Sequence, residues 1–323
     1  MKLFYYKAKK PSKNFGDELN PWLWPRLLPH FDNSPRSVFI GIGTVLNDVA
    51  PDWVTQADNV IFFSTGVGYG RSLRVEKQPN WRIYCVRGPL SARRLRLSTQ
   101  FAITDGAALL RRYFSPVAAA DRIYNCSYMP HFRHGSPLRL KAACQQVGIH
   151  YIDPASEVEA VIEEISRSKV LISEAMHGAI VADTLRVPWI PVRTSPKVLI
   201  FKWQDWCASV KVPYRYQLLK GIKPLSRSDY LHPVRPFLQR QGSLVSLFDG
   251  VRMNDFTRLL KENASIEQSQ SISQATLDTL CAQLETMTRA TSYLSCETHL
   301  ELLVTRLEER LDRLKQDISQ GLF

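Results

Sequence analysis

Through residue 110, short apolar runs alternate with stretches of mixed polarity, the pattern of strands separated by helices. Leu3–Tyr6 reads as a first strand, followed by a loop at Lys13–Asp17. Glu18–Leu28 reads as a helix that Pro21 and Pro25 are expected to interrupt. Ser37–Ile42, Asn59–Ser64 and Arg82–Val86 are further strands, and the first two run into glycines. Pro89 suits the first turn of a helix over Leu90–Leu97, and Phe101–Thr104 makes a fifth strand ending at Asp105-Gly106.

A second unit of the same kind starts near residue 121. Its strands are Arg122–Tyr128, His150–Ile152, Val170–Ser173 and Trp189–Val192, and its helices Leu138–Val147, Glu157–Ser166 and Met176–Leu185. Val158, Val161, Ile162 and Ile165 fall on one helical face. Strands alternating with helices predict parallel sheets covered on both faces. The expected fold is therefore α/β: two Rossmann-like domains facing a cleft, over 1–120 and 121–250, with a helical extension over 251–323. In that extension Leu300, Val304, Leu307, Leu311, Leu314 and Ile318 keep heptad spacing. Such a seam packs either on the body of its own chain or in a homodimer. Residues 264–274, rich in Ser and Gln, read as a linker.

Charge adds to this picture. The 42 Lys+Arg against 30 Asp+Glu leave +12, but residues 264–323 carry nine acidic and five basic side chains. The rest of the chain thus holds +16, which points to anionic partners: nucleic acid, a membrane surface or a phosphorylated substrate. The six cysteines form no CxxC pair, as expected of a reduced, intracellular protein without a zinc-finger framework. MKLFYYKAKK lacks a signal-peptide core, and no stretch approaches the ~20 apolar residues of a membrane span. A cytoplasmic location is expected, with the inner face of the membrane as a place of peripheral attachment.

Several segments carry candidate chemistry. Gly41-Ile42-Gly43 and Gly66-Val67-Gly68-Tyr69-Gly70 each follow an apolar run, where glycine permits a tight turn or close approach to an anion. Neither is a GxGxxG or Walker A sequence. Arg87 stands at a strand end just before a helix, a place for a carboxylate or phosphate ligand as well as for an ordinary surface cation. Val170–Ile180 leads from a buried strand through Ser173-Glu174 to His177 in the first turn of a helix. Its unperturbed pKa near 6.5 suits proton transfer, and a hydrogen-bonded structural histidine is the plainer alternative. His131 and His134 sit three apart with no carboxylate or cysteine near in sequence, which favours substrate binding over a metal. Asp105 fits a helix cap.

In content and order these segments resemble the polysaccharide pyruvyltransferase family. The matching motifs are an early N-x-G-D loop (Asn14, Gly16, Asp17), the glycine turns GIGTVL and STGVGYG with Gly68, and a VRGPxS segment at Arg87. An Asp at a strand end (Asp105), a Pro-His pair (His131) and an S-x-x-x-HG segment (Ser173, His177, Gly178) complete the set. The likeness covers roughly residues 1–200. It implies transfer of pyruvate from phosphoenolpyruvate to two hydroxyls of a sugar, giving a ketal and phosphate, on a fold similar to B-type glycosyltransferases. No cofactor or metal is implied. His177 would be the acid/base, Arg87 would hold the donor's anionic groups, and the other matched residues would bind substrate. The acceptor would be a glycan precursor, in some settings lipid-linked, of an exopolysaccharide or cell-surface polymer. One departure stands out: many members carry Arg-Leu before the motif His, and here the pair is Ala175-Met176. A B-type glycosyltransferase using a nucleotide sugar is the alternative. A nucleic-acid binder, suggested by charge alone, lacks any recognised signature and is not expected.

Overall fold

Four short apolar segments pair in parallel as β1 (Lys2–Phe4), β2 (Ser37–Ile40), β3 (Asn59–Phe63) and β4 (Trp81–Cys85), in the order β1-β2-β3-β4. β2 is buried at every position and β3 at all but the first, as central strands of a parallel sheet must be when both faces are covered. The computed structural model describes residues 1–7, 13–28, 31, 36–47, 50, 54–68, 75, 78–132, 137–195, 198–220 and 274–323. The strand expected at Phe101–Thr104 is reduced to a single parallel bridge between Val86 and Ala102. The chain there is held instead by a 3₁₀ turn, Thr99–Phe101, whose Ser98 cap accepts from the Gln100 N–H.

The two prolines do not interrupt α1 (Phe15–Leu27), which runs unbroken for 13 residues. Pro21 cannot donate to the Asp17 carbonyl, and the Asn20 side chain donates to it instead at 3.1 Å. Asn20 Nδ2 also reaches the Ile42 carbonyl, and its Oδ1 accepts from Trp24 Nε1. The same side chain therefore repairs the helix and fastens it over the first glycine turn. A Cβ on Gly41 would collide with the Trp24 indole, which explains glycine at that position.

The second sheet is also fully parallel: β5 (Ser127–Met129), β6 (His150–Tyr151), β7 (Leu171–Ser173), β8 (Trp189–Arg193) and β9 (Gln217–Leu218), in the order β6-β5-β7-β8-β9. The winding reverses about β5, so a topological switch point lies between β5 and β7. Ligands of open α/β sheets gather at the carboxyl ends beside such a point. Two helices precede this part of the chain's far end: α2 (Pro89–Arg94) follows β4, and α3 (Pro137–Gln146) follows β5. α4 (Val158–Ser166), α5 (Met176–Thr184) and α6 (Ile200–Ser209) follow β6, β7 and β8. The apolar stripe expected on α4 is buried at all four positions.

Helices cross between the sheets. α1 packs on α4 and α5, and α6 packs on α2. One apolar cluster accordingly joins Phe39, Ile61 and Phe63 of the first sheet to Leu171 and Trp189 of the second. At the C-terminus α7 (Gln274–Thr288) packs on α3, Tyr293 bridges to Trp189, and α8 (Glu297–Ser319) returns to β4. The heptad positions Leu300, Val304, Leu307, Leu311 and Leu314 are buried against the chain's own body, so this seam is already covered. The acidic charge of the tail is used there as well. Glu297 and Glu301 pair with Arg111, Glu301 and Glu308 pair with Arg112, and Asp317 accepts from Tyr84. The linker expected at 264–274 lies outside the described residues, apart from Gln274, which opens α7. Among the described residues no helix is long and apolar enough to cross a membrane.

Candidate active site

The carboxyl end of β7 leads through Ser173-Glu174-Ala175 into α5, which puts His177 in its first turn. Ser173 Oγ donates to the Ala175 carbonyl at 2.8 Å and so shapes that turn. Gly178 lies against Ser173 Oγ and Met129 Sδ, where any Cβ would collide. The imidazole presents its two nitrogens to different parts of the first unit. Its Nδ1 edge rests on Gly16, where any Cβ would collide with the ring. Nε2 lies 3.5 Å from Asp105 Oδ2, within ion-pair range and beyond a good hydrogen bond.

Phe15, Gly16 and Asp17, expected in a loop, form the first turn of α1, which reaches His177 because it is docked on the second unit: the Phe15 N–H donates to the Pro154 carbonyl at 2.9 Å. Asn14 Nδ2 donates to Asp17 Oδ2 at 2.6 Å. Burial raises the Asp17 carboxyl above its ordinary pKa, while the Asn14 bond and the charges of His177 and Lys202 pull it back down. Asp105 is wholly buried; its Oδ1 accepts from the Ala107 N–H at 3.0 Å, capping the 3₁₀ segment Gly106–Arg112. The cap expected from sequence is present, and the second oxygen remains directed at His177.

The buried polar atoms without a hydrogen-bond partner include Asp105 Oδ2 and His177 Nε2, Ser64 Oγ beside Gly106, and Thr65 Oγ1 next to it in sequence. Native interiors satisfy nearly all such groups, so a cluster of them calls for an explanation. Ser64, directly after β3, is in the left-handed region (φ 61°) with its hydroxyl against Gly106. That conformation is uncommon for a residue other than glycine, and such strain concentrates at functional sites.

Arg87 is placed differently. It is wholly buried, with Nε on Asp205 Oδ2 (3.3 Å), Nη1 on Thr44 Oγ1 (2.8 Å) and the Gly43 carbonyl (3.2 Å), and Nη2 on the Val67 carbonyl (3.4 Å). Gly66 makes room for its guanidinium. Asp205, from α6, also accepts from the Ser91 N–H and hydroxyl. Gly68 abuts Thr44 and Leu199 in the same layer.

His131 is half-buried, its ring against Phe132 and its N–H donating to Glu174 Oε2 at 3.2 Å. Arg133 and His134 lie outside the described residues. The structure thus gathers Asn14, Gly16, Asp17, Asp105 and His177, and keeps Arg87 and Gly68 in an adjoining network. Sequence reasoning passed over Glu174, whose buried carboxylate also takes the Thr194 N–H (3.0 Å) and hydroxyl (2.6 Å). It ties the ends of β5, β7 and β8 together. Its place two residues before Met176 in an apolar-to-helix turn was the available signal. Ser64 and Thr65 were signalled only by preceding Gly66. Among the described residues no group of three or more His, Cys, Asp or Glu converges as a metal site.

Two parallel sheets with helices packed between them define an α/β protein, with the His177–Asp105 contact as its candidate site. The family described as "Polysaccharide pyruvyl transferase" matches residues 10–196, more than half the chain, and the chain belongs to that family. It is also similar to the succinoglycan biosynthesis protein ExoV of Rhizobium meliloti (strain 1021), 37% identical over 216 residues. That alignment covers 67% of this chain and 66% of the relative, so it spans slightly under two thirds of the relative's length.

Proposed function

We propose that this protein transfers pyruvate from phosphoenolpyruvate to two hydroxyls of a glycan sugar, forming a ketal in the biosynthesis of an exopolysaccharide or related surface polymer. Family membership supports pyruvyl transfer, and the name of the similar protein supports a role in exopolysaccharide synthesis. The observation that carries the chemistry is the cluster of unpartnered polar atoms around His177 and Asp105. Two Rossmann-like units would hold donor and acceptor in a cleft at their strand ends.

The reaction needs a proton on C3 of the donor, which makes C2 electrophilic. One sugar hydroxyl adds to C2; the second displaces phosphate. Of the two hydroxyl protons released, one balances that given to C3 and the other leaves with phosphate. His177 protonates C3, and Asp105 steadies the imidazolium before transfer. Ser64 and Thr65 offer hydroxyls to substrate oxygens. Arg87 holds the glycine turns in place through Gly43, Thr44 and Val67. The protein acts in the cytoplasm, and its basic body would bring it to anionic membrane lipid carrying a lipid-linked acceptor.

The test is phosphate release from phosphoenolpyruvate with a panel of glycosides, followed by mass analysis of the product. Acceptor-dependent release with a ketal product, lost in His177→Ala, is expected. A glycoside made from a nucleotide sugar would replace this reading with the glycosyltransferase one. Release that survived His177→Ala would keep the reaction and remove His177 from its acid role.

A further inference from the structure

The proposed donor carries both a carboxylate and a phosphate, yet the side chains set around His177 are the carboxylates of Asp17 and Asp105. Arg87 is engaged by Asp205, and the positions before His177 are Ala175 and Met176. An anionic donor at this place needs a cation from elsewhere.

α6 supplies one. Leu199, Lys202 and Asp205 are spaced by three and share a helical face. The two ends of that stripe are fixed: Leu199 touches Gly68 in the turn after β3, and Asp205 touches Gly88 in the turn after β4. Lys202 stands between them, over the carboxyl ends of the first sheet, and is half-buried. Its charge is felt by Asp17 together with that of His177, which places all three in one electrostatic neighbourhood. Among the described residues no hydrogen bond or ion pair engages its ammonium. Helix stability does not explain it, because a cation in a first turn opposes the helix dipole.

Building on the pyruvyl-transfer reading, we propose that Lys202 is the residue that holds the anionic donor opposite His177 and selects for it. It would supply the positive charge that Ala175 and Met176, directly before His177, cannot. A lysine acts there as a point charge and not as a planar fork, so either anionic group of the donor satisfies it.

The experiment compares wild type, Lys202→Met, Lys202→Gln and Lys202→Arg, each checked by thermal melting. Calorimetric titration with phosphoenolpyruvate and with inorganic phosphate is paired with donor and acceptor KM. Loss of one charge-assisted contact should weaken donor binding and raise donor KM roughly 10- to 100-fold in the Met and Gln variants. Acceptor KM should stay within about twofold, and the Arg variant should recover most of the affinity. Donor binding and KM within twofold of wild type in folded Met or Gln variants would overturn the assignment, as would a loss confined to the acceptor. If wild type binds phosphoenolpyruvate through Lys202 but transfers nothing, Lys202 stands and pyruvyl transfer falls. If wild type binds neither phosphoenolpyruvate nor phosphate, both fall.

Discussion

Arg87–Asp205 and Asp105–His177 each join the first unit to the second, and the two contacts are finished differently. Around Arg87 four hydrogen bonds engage the guanidinium, and Asp205 accepts two more from Ser91. Around His177 the facing atoms of both partners, and two neighbouring hydroxyls, are left open. Both pairs contain residues that a motif search would nominate as catalytic or binding. Hydrogen-bond satisfaction separates them: a saturated buried charge holds the fold, and an unsaturated one awaits a ligand.

The sharpest test of that contrast is activity against stability. His177→Ala should lower turnover by about 100- to 10,000-fold, the usual contribution of a general acid, with little change in Tm. Asp205→Ala should do the reverse by leaving the Arg87 charge buried and uncompensated. The expected cost is about 3–5 kcal/mol of folding stability, measured by denaturant unfolding. An Asp205→Ala protein as stable as wild type would mean that the Arg87 network does not hold the fold.

Much of this architecture was legible in the chain. Short continuous apolar runs located β2, β3 and β7, which are buried on both faces, and a 3.6-residue period located α4, which is buried along one face. The reading failed where a local interaction outweighed propensity. Asn20 rescued the carbonyl left by Pro21, so α1 continued where a break was expected. Of Phe101–Thr104, Phe101 closes a 3₁₀ turn and Ala102 keeps a single bridge to Val86. β9 has only two residues, Gln217 and Leu218, and no periodicity exists at that length. For the site, His177, Asp105 and the early loop were visible as motifs, but their meeting depends on the Phe15–Pro154 bond and on helix packing across the sheets. Asp205 and Lys202 lie in a segment with no motif at all.

A smaller perturbation probes the same boundary without removing any functional group. Gly16→Ala would drive a methyl into the imidazole Nδ1 edge, and the ring must turn away from Asp105. Turnover should fall by roughly tenfold to 100-fold, since catalytic geometry tolerates little misplacement, while the Arg87 network and donor affinity are unchanged. Equal turnover in wild type and Gly16→Ala would mean that the imidazole is free to sit elsewhere during the reaction.

The smallest effect concerns Asp17, which belongs to the open site and bears the cost of that openness. Burial raises its carboxyl above the ordinary 3.8, more than Asn14, His177 and Lys202 lower it. The folded protein therefore holds this proton to higher pH than the unfolded chain does. Stability falls as pH rises from 3.8 through the raised folded value, and the full penalty is present above that value. Asp17→Asn keeps an oxygen for Asn14 and removes the half-buried charge. Its Tm should exceed that of wild type by a few degrees at pH 7, and the difference should shrink on acidification and vanish below 3.8. Turnover should drop in the same variant, because the charge that burdens the fold is the one the site retains. A variant less stable than wild type at pH 7 would show that Asn14, His177 and Lys202 together outweigh burial, which would place Asp17 with the saturated pair and not with the open one.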